Sequence, residues 1–169
     1  GSTHSNVPSD YFGSSVASLG DLDGDGISEL VVGADSCADS SSFADGDNAV
    51  YVLFMTTSGT TSAVQKISNS DGGRAAHYTV SGSFGSSVAP LGDMNGDGVV
   101  DFAVGAERDD DGGSDAGAFY LIFATTSGTV GDAAKVSMLE GGFASFYTLG
   151  SGNYFSSSLA LLGNSDGTL

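Results

Sequence analysis

Asp21, Asp23, Asp25 and Glu29 stand at positions 1, 3, 5 and 9 of the stretch Asp21-Leu22-Asp23-Gly24-Asp25-Gly26-Ile27-Ser28-Glu29. Asp93, Asn95, Asp97 and Asp101 hold the same four positions in Asp93-Met94-Asn95-Gly96-Asp97-Gly98-Val99-Val100-Asp101. Oxygen donors at alternate positions of a short glycine-rich loop suit a hard cation such as Ca²⁺, which takes about six to eight oxygens at roughly 2.3–2.6 Å. Glycines at the fourth and sixth positions let the backbone turn sharply enough to aim alternate carboxylates inward. Ile27 and Val99, at position 7, can lend only a backbone carbonyl, which leaves their side chains free to be apolar.

The surroundings exclude the commonest owner of this pattern. An EF-hand needs a bidentate acid at position 12 and a helix on either side. Position 12 here is Val32 or Val104. Each loop is followed by a short β-branched run that ends in glycine, Leu30-Val31-Val32-Gly33-Ala34 and Phe102-Ala103-Val104-Gly105-Ala106. Such runs read as strands. Ser14-Ser15-Val16-Ala17-Ser18-Leu19, ahead of the first loop, reads the same way, so each loop is expected to join two strands.

The loops belong to a longer repeat. Residues 12–34 and 84–106 are identical at 15 of 23 positions, and the spacing from Gly20 to Gly92 is 72 residues. Ala49-Val50-Tyr51-Val52-Leu53-Phe54-Met55-Thr56-Thr57-Ser58-Gly59-Thr60 returns as Ala118-Phe119-Tyr120-Leu121-Ile122-Phe123-Ala124-Thr125-Thr126-Ser127-Gly128-Thr129. Lys66-Ile67-Ser68 then returns as Lys135-Val136-Ser137, and Asp71-Gly72-Gly73 as Glu140-Gly141-Gly142. Four short strands per repeat at a fixed period describe a β-propeller blade. The fold class is therefore all-β, with about two four-stranded antiparallel blades and the start of a third.

Phe12-Gly13 with Gly33-Ala34, and Phe84-Gly85 with Gly105-Ala106, resemble the FG-GAP repeat of the integrin α-subunit propeller and its bacterial and protist relatives. The resemblance runs from Tyr11 to the end of the chain. It implies a tail or cloning remnant over residues 1–10, a first repeat over 11–82, a second over 83–153 and a partial third over 154–169. It further implies one Ca²⁺ in each loop. The ligands would be side chains of Asp21, Asp23, Asp25 and Glu29 with the Ile27 carbonyl, then Asp93, Asn95, Asp97 and Asp101 with the Val99 carbonyl. Two departures matter: Glu29 is one methylene longer than the usual Asp, and Asp35 and Glu107 replace the motif's proline. The third copy has Ser156 where the family has glycine. Its loop, Asn164-Ser165-Asp166-Gly167-Thr168-Leu169, stops at the sixth position and is expected to be empty.

A formal charge of −17, from 21 acids and 4 bases, excludes ordinary nucleic-acid binding, which needs a basic face. It also argues against docking on anionic membranes. No run approaches the roughly 18 apolar residues of a membrane span. Cys37 stands alone and has no intrachain partner. Open loops of this kind suit extracellular calcium, where modules bind at about 10⁻⁴–10⁻³ M, so the protein is placed outside the cell or on its surface.

Catalysis finds little support. His4 lies in the tail, His77 has no second histidine or cysteine at ligand spacing, and neither a nucleophile elbow nor a zinc-protease motif occurs. The acids after each Gly-Ala, namely Asp35, Asp39, Asp45 and Asp47, then Glu107, Asp109, Asp110, Asp111 and Asp115, read first as solvated loops and second as a weak cation or partner site. The function expected is a calcium-binding structural or adhesion module, a segment of a larger propeller or fibre, and not an enzyme. Its expected partners are a protein or further chains that cover open blade faces. The alternative is a lectin-like propeller with a glycan partner, although the chain has no Trp to stack on a sugar.

The same strands supply the expected core: Val16, Leu19, Leu30, Val32, Val50, Val52, Phe54, Val88, Leu91, Phe102, Val104, Phe119, Leu121 and Phe123. Phe12 and Phe84 are expected to be buried near the blade junctions.

Overall fold

The computed structural model describes residues 11–35, 48–69, 71–72 and 82–162. His4, Cys37, His77, Asp39, Asp45, Asp47 and the third loop from Gly163 onward lie outside the described residues. Each repeat is an antiparallel meander. Strands β1 (Phe12–Gly20), β2 (Glu29–Ala34), β3 (Ala49–Met55) and β4 (Thr61–Ile67) pair in chain order, and β5 (Phe84–Gly92), β6 (Asp101–Ala106), β7 (Ala118–Ala124) and β8 (Val130–Val136) repeat that order in a second sheet. Among the described residues, helix is confined to one 3-10 turn, Phe143–Ser145.

One core lies between the sheets. Successive side chains of a strand point to opposite faces, so each sheet has an inner and an outer face. The paired residues Val31 and Val52, together with Phe54 and Ile67, come from the first blade. The pairs Phe102–Ile122 and Val104–Tyr120, together with Phe84, come from the second. At one end Gly128 of the second blade sits against Val52 and the Phe54 ring of the first.

The expected core is met in part. Leu19, Val32, Val50, Val52, Phe54, Val88, Phe102, Val104 and Phe84 are buried. Val16 is exposed, and Leu30 and Leu91 are only half-buried. Phe12 is 59% exposed where its counterpart Phe84 is 0%. In β7 the alternation runs opposite to the expectation: Tyr120 and Ile122 are buried inward, while Phe119, Leu121 and Phe123 are half-buried on the outer face. The reason is geometric. The first blade presents one face of its strands to the junction and the second blade presents the other, so equivalent residues cannot both face inward.

The seam between repeats explains the residues that flank each loop. The Ser15 hydroxyl donates to the Gly85 carbonyl at 2.8 Å. A Cβ on Gly33 would lie 2.0 Å from that same oxygen, so the glycine of Gly33-Ala34 leaves room for the next repeat's Phe84-Gly85. The arrangement recurs one step on, where the Ser87 hydroxyl donates to the Ser156 carbonyl at 2.7 Å and a Cβ on Gly105 would lie 2.5 Å from that oxygen. Tyr11, Ser83 and Tyr154 all adopt positive φ, and their carbonyls accept from Ser14, Ser86 and Ser157 N–H respectively. The stretch from Tyr154 therefore opens with the same turn as the two repeats.

Ser156 fills the glycine position with φ 71°, positive like the 96° and 101° of Gly13 and Gly85, and its hydroxyl donates to the Ala118 carbonyl. Beyond that turn the third repeat forms no strand among the described residues, only an isolated bridge between Phe155 and Gly117. Strands β1 and β5 are held by the strands that follow their loops.

Candidate metal centre

Each nonapeptide spans the connection between the first two strands of its sheet. Its ninth residue opens the second strand, where Glu29 pairs with Gly20 and Asp101 with Gly92. Strand pairing thus anchors the last donor while the glycines bend the rest of the loop: Gly24, Gly26, Gly96 and Gly98 all take φ between 80° and 88°.

In the first loop the Asp21 carboxylate accepts from Gly24 N–H at 2.8 Å and Gly26 N–H at 3.0 Å. Asp23 accepts from Asp25 N–H at 3.1 Å, and Asp25 from Ile27 N–H at 2.7 Å. Glu29 is fully buried, and its Oε2 accepts from Leu22 N–H at 2.7 Å. Its Oε1 is also buried and has no hydrogen-bond partner. One carboxylate oxygen from each of Asp21, Asp23 and Glu29 falls within 4.8 Å of the others. The exposed Asp25 is not in that group. A buried carboxylate oxygen without a partner is costly, and three converging carboxylates are the donor chemistry of a hard divalent cation.

The second loop is wired more tightly. Asp93 accepts from Gly96, Asp97 and Gly98 N–H at 2.7, 3.0 and 2.8 Å. Asn95 accepts from Asp97 N–H at 3.0 Å, and its amide donates back to Asp97 Oδ2 at 2.9 Å. Asp97 Oδ1 accepts from Val99 N–H at 2.8 Å. Both oxygens of the buried Asp101 are engaged, Oδ2 by Met94 N–H at 2.9 Å and Oδ1 by Ala124 N–H at 3.1 Å. Burial pushes the Asp101 carboxyl above its ordinary range; the backbone N–H groups of Met94, Ala124 and Asn95 oppose that shift and the charge of Asp97 adds to it.

The acidic segment of the second blade is largely committed to protein contacts. Asp109 is 1% exposed, and Lys135 Nζ lies 2.9 Å from both Asp109 and Asp111 while standing 5.7 Å from the Tyr120 ring centroid. The Ser137 hydroxyl donates to Asp111 at 2.8 Å, and Asp110 accepts from Asp115 N–H at 2.9 Å. Burial works against the charge on Asp111, but the hydrogen bonds from Lys135 and Ser137 and the Lys135 charge outweigh it and hold the carboxyl below its usual range. Burial likewise opposes the charge on Lys135, and its bonds to the two aspartates overcome that and push it well up. This clasp is absent from the sequence reading, because its partners lie 24 to 26 residues apart. The recurrence of Lys66 as Lys135 was the one available signal.

The FG-GAP repeat family matches residues 12–53 and 84–122. Over 131 residues, 78% of the chain, the sequence is 32% identical to Integrin alpha-PS2 of Drosophila melanogaster. Over 96 residues, 57% of the chain, it is 41% identical to Integrin alpha-3 of Cricetulus griseus. The chain spans 9% and 8% of the lengths of those two proteins. Among the described residues no helix is long and apolar enough to cross a membrane.

Proposed function

The chain carries FG-GAP repeats of the integrin α-like kind, and from that premise we propose that it is a calcium-binding, extracellular adhesion-type module. In this reading each loop holds one Ca²⁺ through Asp21, Asp23, Asp25, Glu29 and the Ile27 carbonyl, or through Asp93, Asn95, Asp97, Asp101 and the Val99 carbonyl. Bound calcium would supply charge neutralisation and a cross-link between the loop and the strand it feeds. The observation that carries the reading is the buried Glu29, which has one oxygen without a hydrogen-bond partner and whose carboxylate gathers with those of Asp21 and Asp23.

The outer face of the first blade, with Phe12, Val16 and Val64 exposed, is equivalent to the face that the second blade buries. We assign its cover to a further blade or another chain. Likeness to integrin α-chains supports a protein partner and a location outside the cell.

Calorimetric titration tests the calcium reading. Two bound Ca²⁺ are expected, with a melting temperature that rises with calcium and falls with chelator, as binding to the folded state requires. Asp23→Ala and Asn95→Ala should each remove one site and spare the other, since the loops lie in separate sheets. No calcium uptake, or melting indifferent to chelator, would defeat the reading.

A further inference from the structure

Resting on the calcium reading above, we infer that the two loops are unequal: the first is the tighter site and fills first, whereas the second doubles as a strut that holds its blade together before any cation arrives. Three differences in donor state separate them. The first loop brings four carboxylates and the second brings three with one neutral amide, at Asn95. Charge count is one of the terms that sets calcium affinity in oxygen-donor loops.

The second difference lies at position 9. Glu29, one methylene longer than Asp101, keeps one oxygen on Leu22 N–H and leaves Oε1 buried with both lone pairs uncommitted. Asp101 spends its oxygens on Met94 N–H and Ala124 N–H, and the second of these ties the loop to β7. A cation at Asp101 must share oxygens that already serve the backbone. A cation at Glu29 meets an oxygen that has no other partner.

The third difference is at position 3. Asn95 donates its amide to Asp97 Oδ2 at 2.9 Å, so a cation there competes for a carboxylate that already serves a side-chain donor. Asp23 has no donor with which to make such a bond, and it already lies with Asp21 and Glu29. Every one of these contrasts points the same way. At calcium levels between the two affinities, the first loop would be occupied and the second would stand on its hydrogen bonds.

Isothermal titration of the whole chain with CaCl₂ reads this directly. Two classes of site separated by at least tenfold are expected, equivalent to about 1.4 kcal/mol. Glu29→Gln should abolish the tighter class and leave the weaker one in place. Asp23→Asn, at an exposed position, should weaken the tighter class and leave the weaker one unchanged, which makes the same assignment if Glu29→Gln does not fold. Asn95→Asp, which gives the second loop its fourth carboxylate, should tighten the weaker class severalfold. Two equal sites, or loss of the weaker class in Asp23→Asn, would overturn the inference and leave the calcium reading standing. Absence of any binding heat together with no calcium-dependent change in melting would remove both.

Discussion

Phe12 and Tyr51 in the first blade, and Phe84 and Tyr120 in the second, are the same edge-to-face pair met twice. Their ring centroids lie 5.4 and 5.3 Å apart, with interplanar angles of 67° and 81°. The geometry is nearly unchanged, yet Phe12 is exposed and Phe84 is wholly buried. The pairing is thus a property of the repeat, set by the left-handed turn that opens it and by the register of its strands. Burial is a property of the neighbour, because the second blade has a sheet in front of it and the first has none among the described residues. The lysines make the same contrast. Lys66 reaches a half-exposed Asp71 at 3.4 Å, whereas Lys135 sits between Asp109 and Asp111.

The sharpest way to break this comparison is to remove the rings. Phe84→Ala should cost about 3–5 kcal/mol, the usual range for a core Phe. Phe12→Ala should cost only about 1 kcal/mol, since the ring is largely exposed and loses chiefly its pairing with Tyr51. Urea unfolding of the two variants measures both, and equal losses would show that the sheets do not stack as described.

Next come the lysines. Breaking a buried ion pair by removing one partner costs roughly 3–5 kcal/mol. Asp111 keeps some contact with water, so Lys135→Met is expected to cost about 2 kcal/mol, discounted for that screening. Lys66→Met, at an exposed pair, should fall below about 1 kcal/mol. A second blade as tolerant of the change as the first would mean that the clasp is ornamental.

The smallest effect is in acid. The Asp111 carboxyl is held below its ordinary value in the folded chain. Its stabilising contribution is therefore present above about pH 4, the unfolded range for Asp, and is lost as pH falls through the lowered folded value. Asp111→Asn should flatten that part of the pH dependence when compared with the parent in chelator, where the loop acids contribute alike to both. Superimposable stability profiles from pH 5 to pH 2 would remove Asp111 from the account.

Much of this architecture could be read from residue order. The strand–loop–strand unit, the four strands per repeat and the donors at alternate loop positions all follow from local pattern, and the strands formed where the β-branched runs stood. The phase of β7 was not legible. Phe119, Leu121 and Phe123 alternate with Tyr120 and Ile122, so both faces are apolar and the run reads as continuous, as it does for strands covered on two sides. Which face turns inward depends on which side carries a neighbour. Phe12 misled for the same reason, since its sequence setting matches that of Phe84. At the loops, the positions of the oxygen-bearing side chains were legible, but which of their oxygens are already hydrogen-bonded was not. Whether a position 9 carboxylate has a free oxygen depends on one methylene and on the reach of Ala124 N–H, a residue 23 positions away. Ser156 departs from the motif's glycine, yet it keeps a left-handed backbone and accepts the Ser87 hydroxyl as Gly85 accepts that of Ser15.

That seam has a direction. The second strand of each repeat receives the opening turn that follows it, Gly33 receiving Gly85 and Gly105 receiving Ser156. A head-to-tail contact of this kind is heterologous, and repetition of one such step yields a closed ring or an open spiral according to the rotation it carries. The rotation carried by that step would decide between the two outcomes, and a substitution that tilts the seam without weakening it would redirect the path of the repeats while leaving the junction as stable as before.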